Sequence, residues 1–132
     1  MLSTYLVNEL LDHAFGAGNR NFSAPATISV GLSTADPTED GSGISEPSGN
    51  NYSRVATAHT DWDTASDKII DNTSQIDFPT PSGSWGECTH FFLHDGTNYL
   101  GGDSLNTSVS PVNGQSVYFA AGALKVRIDR SS

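Results

Sequence analysis

The chain has 132 residues, of which 36% are hydrophobic and 16% are charged. This length predicts a single domain over residues 1–132, and a composition rich in Gly, Ser, Thr and Asn is typical of an all-β protein with many turns. The formal net charge of −9 argues against nucleic-acid binding, because an acidic surface repels phosphates. No apolar run approaches the ~20 residues of a membrane helix. Glu9 and Asp12 interrupt the first apolar segment, so we expect no signal peptide, no membrane partner and synthesis in a cytoplasm.

The N-terminal segment carries the helical pattern of the sequence. Apolar residues recur there at three- and four-residue spacing, namely Leu6, Val7, Leu10, Leu11, Ala14 and Phe15. Ser3 is a suitable N-cap, and Gly16 lies where helices commonly end. The pattern predicts one helix over residues 3–16.

Beyond residue 26 the apolar pattern changes to the two-residue period of β-strands. In segment 27–34, Ile28, Val30 and Leu32 share one face, which predicts a half-buried strand. Similar segments follow at 52–60, 68–72, 75–79, 86–95, 98–105 (with a Gly-Gly bulge or turn) and 116–129 (two strands joined near Gly122). About eight short strands separated by turns predict a mainly β fold. We expect a single β-sandwich, jelly-roll-like or immunoglobulin-like, over residues 26–129, with the helix attached.

The segment GSWGECTHFFLHDG, residues 83–96, concentrates the residues that could bind a metal or act in catalysis. If 86–95 is a strand, the candidate ligands share one face with a phenylalanine: Cys88, His90, Phe92 and His94. His90 and His94 would then lie roughly 13 Å apart at Cα, too far to share a zinc ion, and only Cys88 with His90 could meet one. We therefore expect a structural strand with Phe91 and Leu93 facing the core and Cys88 as a small apolar side chain. Trp85 is expected to pack in the core or an interface.

The rest of the sequence offers no established motif for catalysis. No helix N-terminus is expected beside Cys88 to activate its thiol, and no nucleotide-binding or hydrolase motif occurs. The acidic segments 36–47 and 61–72 are not EF-hands. In the first, Pro47 occupies the position of the bidentate Glu, and in the second, Ser66 occupies the position that requires Gly. An irregular calcium site in a loop stays open. We predict that the protein is not an enzyme, with no catalytic residue, no cofactor and no metal ligand.

The order of several motifs is similar to that of a known family. The segments are LLDHAFG, APATISVGLSTADPTEDGSG, NNYSRV, DNTSQIDFPTPSGSWGECTHFFLHD and AGALKVRID. Together they resemble a family of small bacteriophage virion proteins commonly labelled phage tail fiber protein, over roughly residues 3–129. The chain departs from that pattern in EPSGNNY (46–52) and GTNYL (96–100), which are surface loops.

The resemblance implies a virion structural protein on the outer surface of the head or on the tail. Fibre shafts usually contain repeats or heptads, and the sequence has none. Its small size favours a capsid cement or decoration protein that bridges capsid subunits, with the major capsid protein and a homotrimer of itself as partners. The alternative is a tail fibre or receptor-binding module whose segments 35–51 and 96–114 contact a host receptor.

For the cement protein we expect the N-terminal helix or the 35–51 loop to contact the capsid shell, and the C-terminal residues Lys125 and Arg127 form a small basic strip. The predicted interface residues are Leu6, Leu10, Asp36, Glu39, Asp40, Arg54, Lys125 and Arg127. Arg54 is one of six basic residues amid 15 acidic ones, so we predict an ion pair, with Asp36 or Asp61 as its partner.

Overall fold

A computed structural model describes residues 1–128 of the protein. The elements are helix α1 (Thr4–Ala14), strands β1 (Ile28–Ser33) and β2 (Val55–Thr57), a 3₁₀ turn (His59–Asp61), and strands β3 (Ile69–Asp71), β4 (Ile76–Asp77), β5 (Cys88–His94), β6 (Tyr99–Val109), β7 (Tyr118–Phe119) and β8 (Lys125–Arg127). The predicted fold class is confirmed, since the chain forms a small, mainly β sandwich with one N-terminal helix.

Helix α1 begins and ends close to the predicted bounds. The Ser3 side chain accepts a hydrogen bond from the Leu6 amide at 3.1 Å, which is the N-cap that the sequence indicated. The Ser3 amide donates to the carbonyl of Leu100 at 2.9 Å, so the helix starts where the chain leaves the edge of β6. No helix among residues 1–128 is long and apolar enough to cross a membrane.

The first layer of the sandwich is a four-stranded antiparallel sheet in the order β2-β1-β5-β6. Its register skips one residue where Leu93 pairs with Gly101 but His94 pairs with Tyr99, which confirms the bulge predicted at the Gly-Gly pair. Strand β6 lies at the edge of the sheet and continues to Val109, beyond the predicted segment.

The second layer consists of two short ribbons, β3 with β8 and β4 with β7. The core lies between the layers and contains Val30, Leu32, Ile76, Phe78, Trp85, Cys88, Phe91, Leu93, Leu100 and Leu124. Phe91 and Leu93 therefore face inward as predicted. Trp85 is 4% exposed and packs edge-on against Tyr52, which confirms its position in the core.

The C-terminal segment departs from its predicted pattern. Strands β7 and β8 are joined at Gly122 as expected, but they pair with β4 and β3 in separate ribbons. Leu124 and Val126 lie in or against the core, whereas Ile128 is 57% exposed, so the predicted alternation ends before it. Position 129, the predicted end of the sandwich, lies outside the described residues.

Candidate interaction surfaces

Strand β5 carries its two histidines without bringing them to a metal site. His90 Nδ1 lies 2.8 Å from the Thr89 hydroxyl, and His94 Nδ1 accepts from the Gly96 amide at 3.0 Å. Burial, and then the neighbouring Arg54 cation, lower the pKa of His94. Within residues 1–128, no group of three or more His, Cys, Asp or Glu side chains could hold a metal ion.

Cys88 does not share the face of Phe92, and the prediction is wrong on this point. The thiol is fully buried in the core cluster that contains Phe91, whereas Phe92 packs outside that cluster. The reason is a break in register, because Cys88 pairs with Val109 but His90 pairs with Ser104. Burial raises the pKa of the Cys88 thiol to about 11, so the side chain is a weak nucleophile in the folded protein.

The acidic loop, which we define as residues 35–51, is organised by its own hydrogen bonds. Asp40 accepts from the Ser42 amide at 3.0 Å and from the Thr38 hydroxyl at 2.9 Å. These bonds, that from the Ser42 amide first, lower the pKa of the Asp40 carboxyl to about 2. The Asp36 carboxylate accepts from the Thr38 amide at 2.9 Å. The predicted interface residues Asp36, Glu39 and Asp40 are all exposed.

Arg54 has a different partner from the two predicted. Its Nε and second guanidinium nitrogen donate to the two carboxylate oxygens of Glu46 at 3.0 and 3.1 Å. Tyr52 donates to the same carboxylate at 2.8 Å, while its hydroxyl accepts from the Leu32 amide at 3.0 Å. The Arg54 guanidinium also lies 5.0 Å from the centre of the Phe92 ring. Arg54 therefore connects the acidic loop to the sheet through Glu46. The predicted partners Asp36 and Asp61 do not form this ion pair.

Helix α1 presents an apolar stripe that is exposed in the part of the chain that the structure describes, residues 1–128. Val7, Leu11 and Phe15 follow one another at four-residue spacing and are 38%, 51% and 82% exposed. The predicted contacts Leu6 and Leu10 are half-buried, and Leu6 packs against the core. The apolar pattern in the sequence included these three exposed residues as well as Leu6 and Leu10. Which of them are buried depends on how the helix packs against the sheet, and the sequence pattern does not show this.

The acidic loop lies beside the start of this helix. The Thr4 amide donates to the Glu39 carbonyl at 2.9 Å, which joins the N-terminus of α1 to the loop. The structure thus brings two of the predicted interface segments together, which residue spacing in the sequence could not show. We use the name helix–loop surface for the exposed residues of these two joined segments, namely Val7, Leu11, Phe15, Asp36, Glu39 and Asp40.

The two basic interface candidates lie elsewhere, on β8. Lys125 donates to the Asp71 carboxylate on the paired strand β3 at 3.2 Å. Arg127 pairs with Ile69 in the same ribbon and is exposed. Both residues border an open cleft of about 640 Å³ between residues 103–109 of β6 and the β7–β8 side of the second layer. The sequence carried no signal for this cleft except the run of Asn, Ser, Thr and Gln between 104 and 116.

Comparison with known proteins identifies the family. No curated protein matches the chain. The model of a family described as podophage GP4 fiber I protein gp80 matches residues 1–127, which is nearly the whole chain and confirms the resemblance seen in the order of the motifs. The protein belongs to the podophage GP4 fiber I protein gp80 family and is a structural component of a phage virion.

Proposed function

We propose that the protein is a non-enzymatic component of a phage tail fibre, where the sandwich forms a compact module at an end or a joint. The observation that carries this proposal is the match of residues 1–127 to a family described as a fibre protein. Within residues 1–128 the single α-helix has 11 residues, too short for the sustained heptads of a coiled-coil shaft. A module attached to a shaft built by other chains fits both facts.

The helix–loop surface is the proposed point of attachment to the virion. An exposed stripe of Val7, Leu11 and Phe15 is costly to leave in water, and burying apolar surface is the main source of affinity in most protein association. Asp36 and Asp40, in the loop that is bonded to the start of the helix, are exposed and favour a partner that also carries basic side chains. Association with further copies, as a homotrimer, belongs to the same proposal.

A second candidate is a capsid cement protein on the outer surface of the head. It is favoured by the compact sandwich, since the described residues contain no element extending beyond 11 residues, and a knob of this kind can bridge capsid subunits. The same helix–loop surface would then contact the major capsid protein.

Localisation on the virion tests the two candidates directly. We would label purified virions with gold-conjugated antibody to this chain, determine their structure by cryo-electron microscopy, and measure copy number by quantitative mass spectrometry. Label on the tail with few copies per virion supports the fibre proposal. Label on the head with copies in proportion to the capsid subunits overturns it in favour of the cement protein.

Attachment is tested by a triple variant, Val7→Ser, Leu11→Ser and Phe15→Ser. We expect the variant to fold, because all three side chains are exposed, and to be missing from virions assembled in complementation. Val112→Ser, at a 54% exposed apolar position outside the helix, is the matched control and should be incorporated normally. Normal incorporation of the folded triple variant would show that attachment uses another surface.

A further inference from the structure

The cleft between β6 and the second layer has an apolar floor and a polar rim. Its floor presents half-buried apolar side chains that pack against the core, namely Leu105, Val109, Val117 and Phe119. Phe119 in turn packs edge-on against the buried Phe91 at 5.9 Å between ring centroids. The volume of about 640 Å³ lies in the range of about 300–1,000 Å³ that is common for small-molecule sites. The floor is held in place, because its members pack against the core.

The rim carries uncharged polar side chains that the protein itself leaves available. Asn106, Thr107 and Ser116 are exposed, and their side chains make no hydrogen bond to another residue within 1–128. The Gln115 side chain accepts from the Val112 amide through Oε1 at 3.1 Å, which fixes its position and leaves the amide nitrogen as a donor. The rim therefore offers hydroxyl and carboxamide groups in both donor and acceptor roles.

We infer that this cleft binds a saccharide, as a short stretch of a bacterial surface polysaccharide. A sugar ring presents C–H groups on its faces and hydroxyls around its edge, so it matches an apolar floor surrounded by amides and hydroxyls. Arg127 and Lys125 stand at one side, where Arg127 can pair with the carboxylate or phosphate of an acidic unit. Lys125 is already paired with Asp71.

Other ligand classes fit the cleft less well. A nucleotide would bring several negative charges to a site where only Arg127 is outside an ion pair among the described residues, and where Asp103 also lines the wall. A lipid chain would leave the amides and hydroxyls of the rim without partners. A saccharide satisfies the floor and the rim together.

The inference deepens the fibre proposal by naming a ligand class, and it rests on that proposal for the bacterial source of the saccharide. The binding chemistry itself is a property of the isolated domain. If the chain is found on the head and the cleft still binds saccharide, the fibre proposal fails and the cleft assignment stands. If the chain is on the tail and no saccharide binds, the fibre proposal stands and the cleft assignment fails.

The test is a titration of the ¹⁵N-labelled full chain by NMR. The probes are methyl hexosides, O-antigen oligosaccharides and capsular oligosaccharides, the last two prepared from the bacterium on which the phage grows. We expect shifts confined to residues 103–109 and 115–119, and the two oligosaccharide arms identify the source. Asn106→Ala should weaken binding about two- to tenfold, the effect of one hydrogen bond. Asn8→Ala, at an exposed asparagine on α1, should leave binding unchanged.

Charge is tested separately. Arg127→Ala should weaken binding of acidic oligosaccharides only, and Arg20→Ala is its exposed control. No shifts with any probe, shifts outside the cleft, or binding unaffected by Asn106→Ala would overturn the inference. A further variant, Asn106→Trp, tests whether the cleft is instead a contact between copies of the chain. If this variant changes the sedimentation coefficient of the free protein and leaves saccharide binding unaffected, the inference is also overturned.

Discussion

Asn72 is the residue whose replacement tests the architecture of the second layer most directly. Its side chain is 1% exposed and connects β3 to the turn before β8. Nδ2 donates to the carbonyls of Ser74 at 2.8 Å and Ala120 at 3.0 Å, and Oδ1 accepts from the Leu124 amide at 2.9 Å. The bonds to Ala120 and Leu124 thus hold the turn between β7 and β8 in place.

Asn72→Ala removes all three bonds and leaves the Leu124 amide and the Ala120 carbonyl without these partners. A typical hydrogen bond contributes about 1 kcal/mol net, and a buried polar group without a partner costs about 1–3 kcal/mol. We expect a loss of about 3 kcal/mol in the free energy of unfolding, which corresponds to a fall of about 10 °C in Tm for a domain of this size. Asn72→Asp should be worse, because a carboxylate cannot donate to the two carbonyls that it would face.

The measurement is equilibrium unfolding in guanidinium chloride, followed by tryptophan fluorescence and circular dichroism. Asn8→Ala is the matched control, since it removes an exposed asparagine of α1 and should stay within about 0.5 kcal/mol of the wild type. The reasoning would be refuted if Asn72→Ala were as stable as this control. If Asn72→Asp were more stable than Asn72→Ala, the assignment of Nδ2 as the donor of both hydrogen bonds, to Ser74 and to Ala120, would be refuted.

Three further predictions concern the sheet, the acidic loop and the thiol. Gly31→Ala would place a Cβ about 2.3 Å from the Phe92 ring, so we expect a loss of about 1–3 kcal/mol in unfolding free energy. Glu46→Gln loses the ion pair with Arg54, which is partly exposed, so we expect a loss of about 1 kcal/mol, read from the urea midpoint. Native Cys88 should react with iodoacetamide far more slowly at pH 8 than unfolded protein, since its pKa is raised to about 11. Because the folded-state pKa is raised, the thiol's contribution to stability is present below the unfolded pKa and is lost as pH rises toward 11.

Each of these predictions has a control and a contrary result. Gly18→Ala is the matched control, since its φ is also outside the left-handed region and its added Cβ would come no closer than 3.2 Å, to the Asp12 carboxylate. An unchanged midpoint for Gly31→Ala would mean that the Phe92 ring moves aside at little cost. For Glu46→Gln, loss of stability that persists at high salt would contradict an electrostatic origin. Equal alkylation rates for folded and unfolded protein would contradict the burial of Cys88.

Local sequence determined the elements that are long enough to show a period. The apolar spacing of α1 and the alternation in β1 and β5 predicted the positions of these elements and the mainly β fold, because a side-chain period is set by the backbone geometry of each element. The alternation also predicted the buried side chains Val30, Leu32, Phe91 and Leu93. The order of motifs along the chain was also sufficient to indicate the family. The interface residues proposed from the sequence stay a prediction.

Only the tertiary structure decided how the short strands pair and what the loops contact. Strands β4 and β7 have two residues each, too few for a pattern that selects a partner, so their pairing depends on packing against the core. Tertiary structure also decided the position of Cys88, which lies in the core because of a change of register between β5 and β6. It decided the partner of Arg54 as well, since Glu46 comes from a loop that packs against the sheet. The cleft lies where β6 departs from its register with β5, between the pairing of Ser104 with His90 and that of Val109 with Cys88. This relation between distant segments leaves no local trace in the sequence.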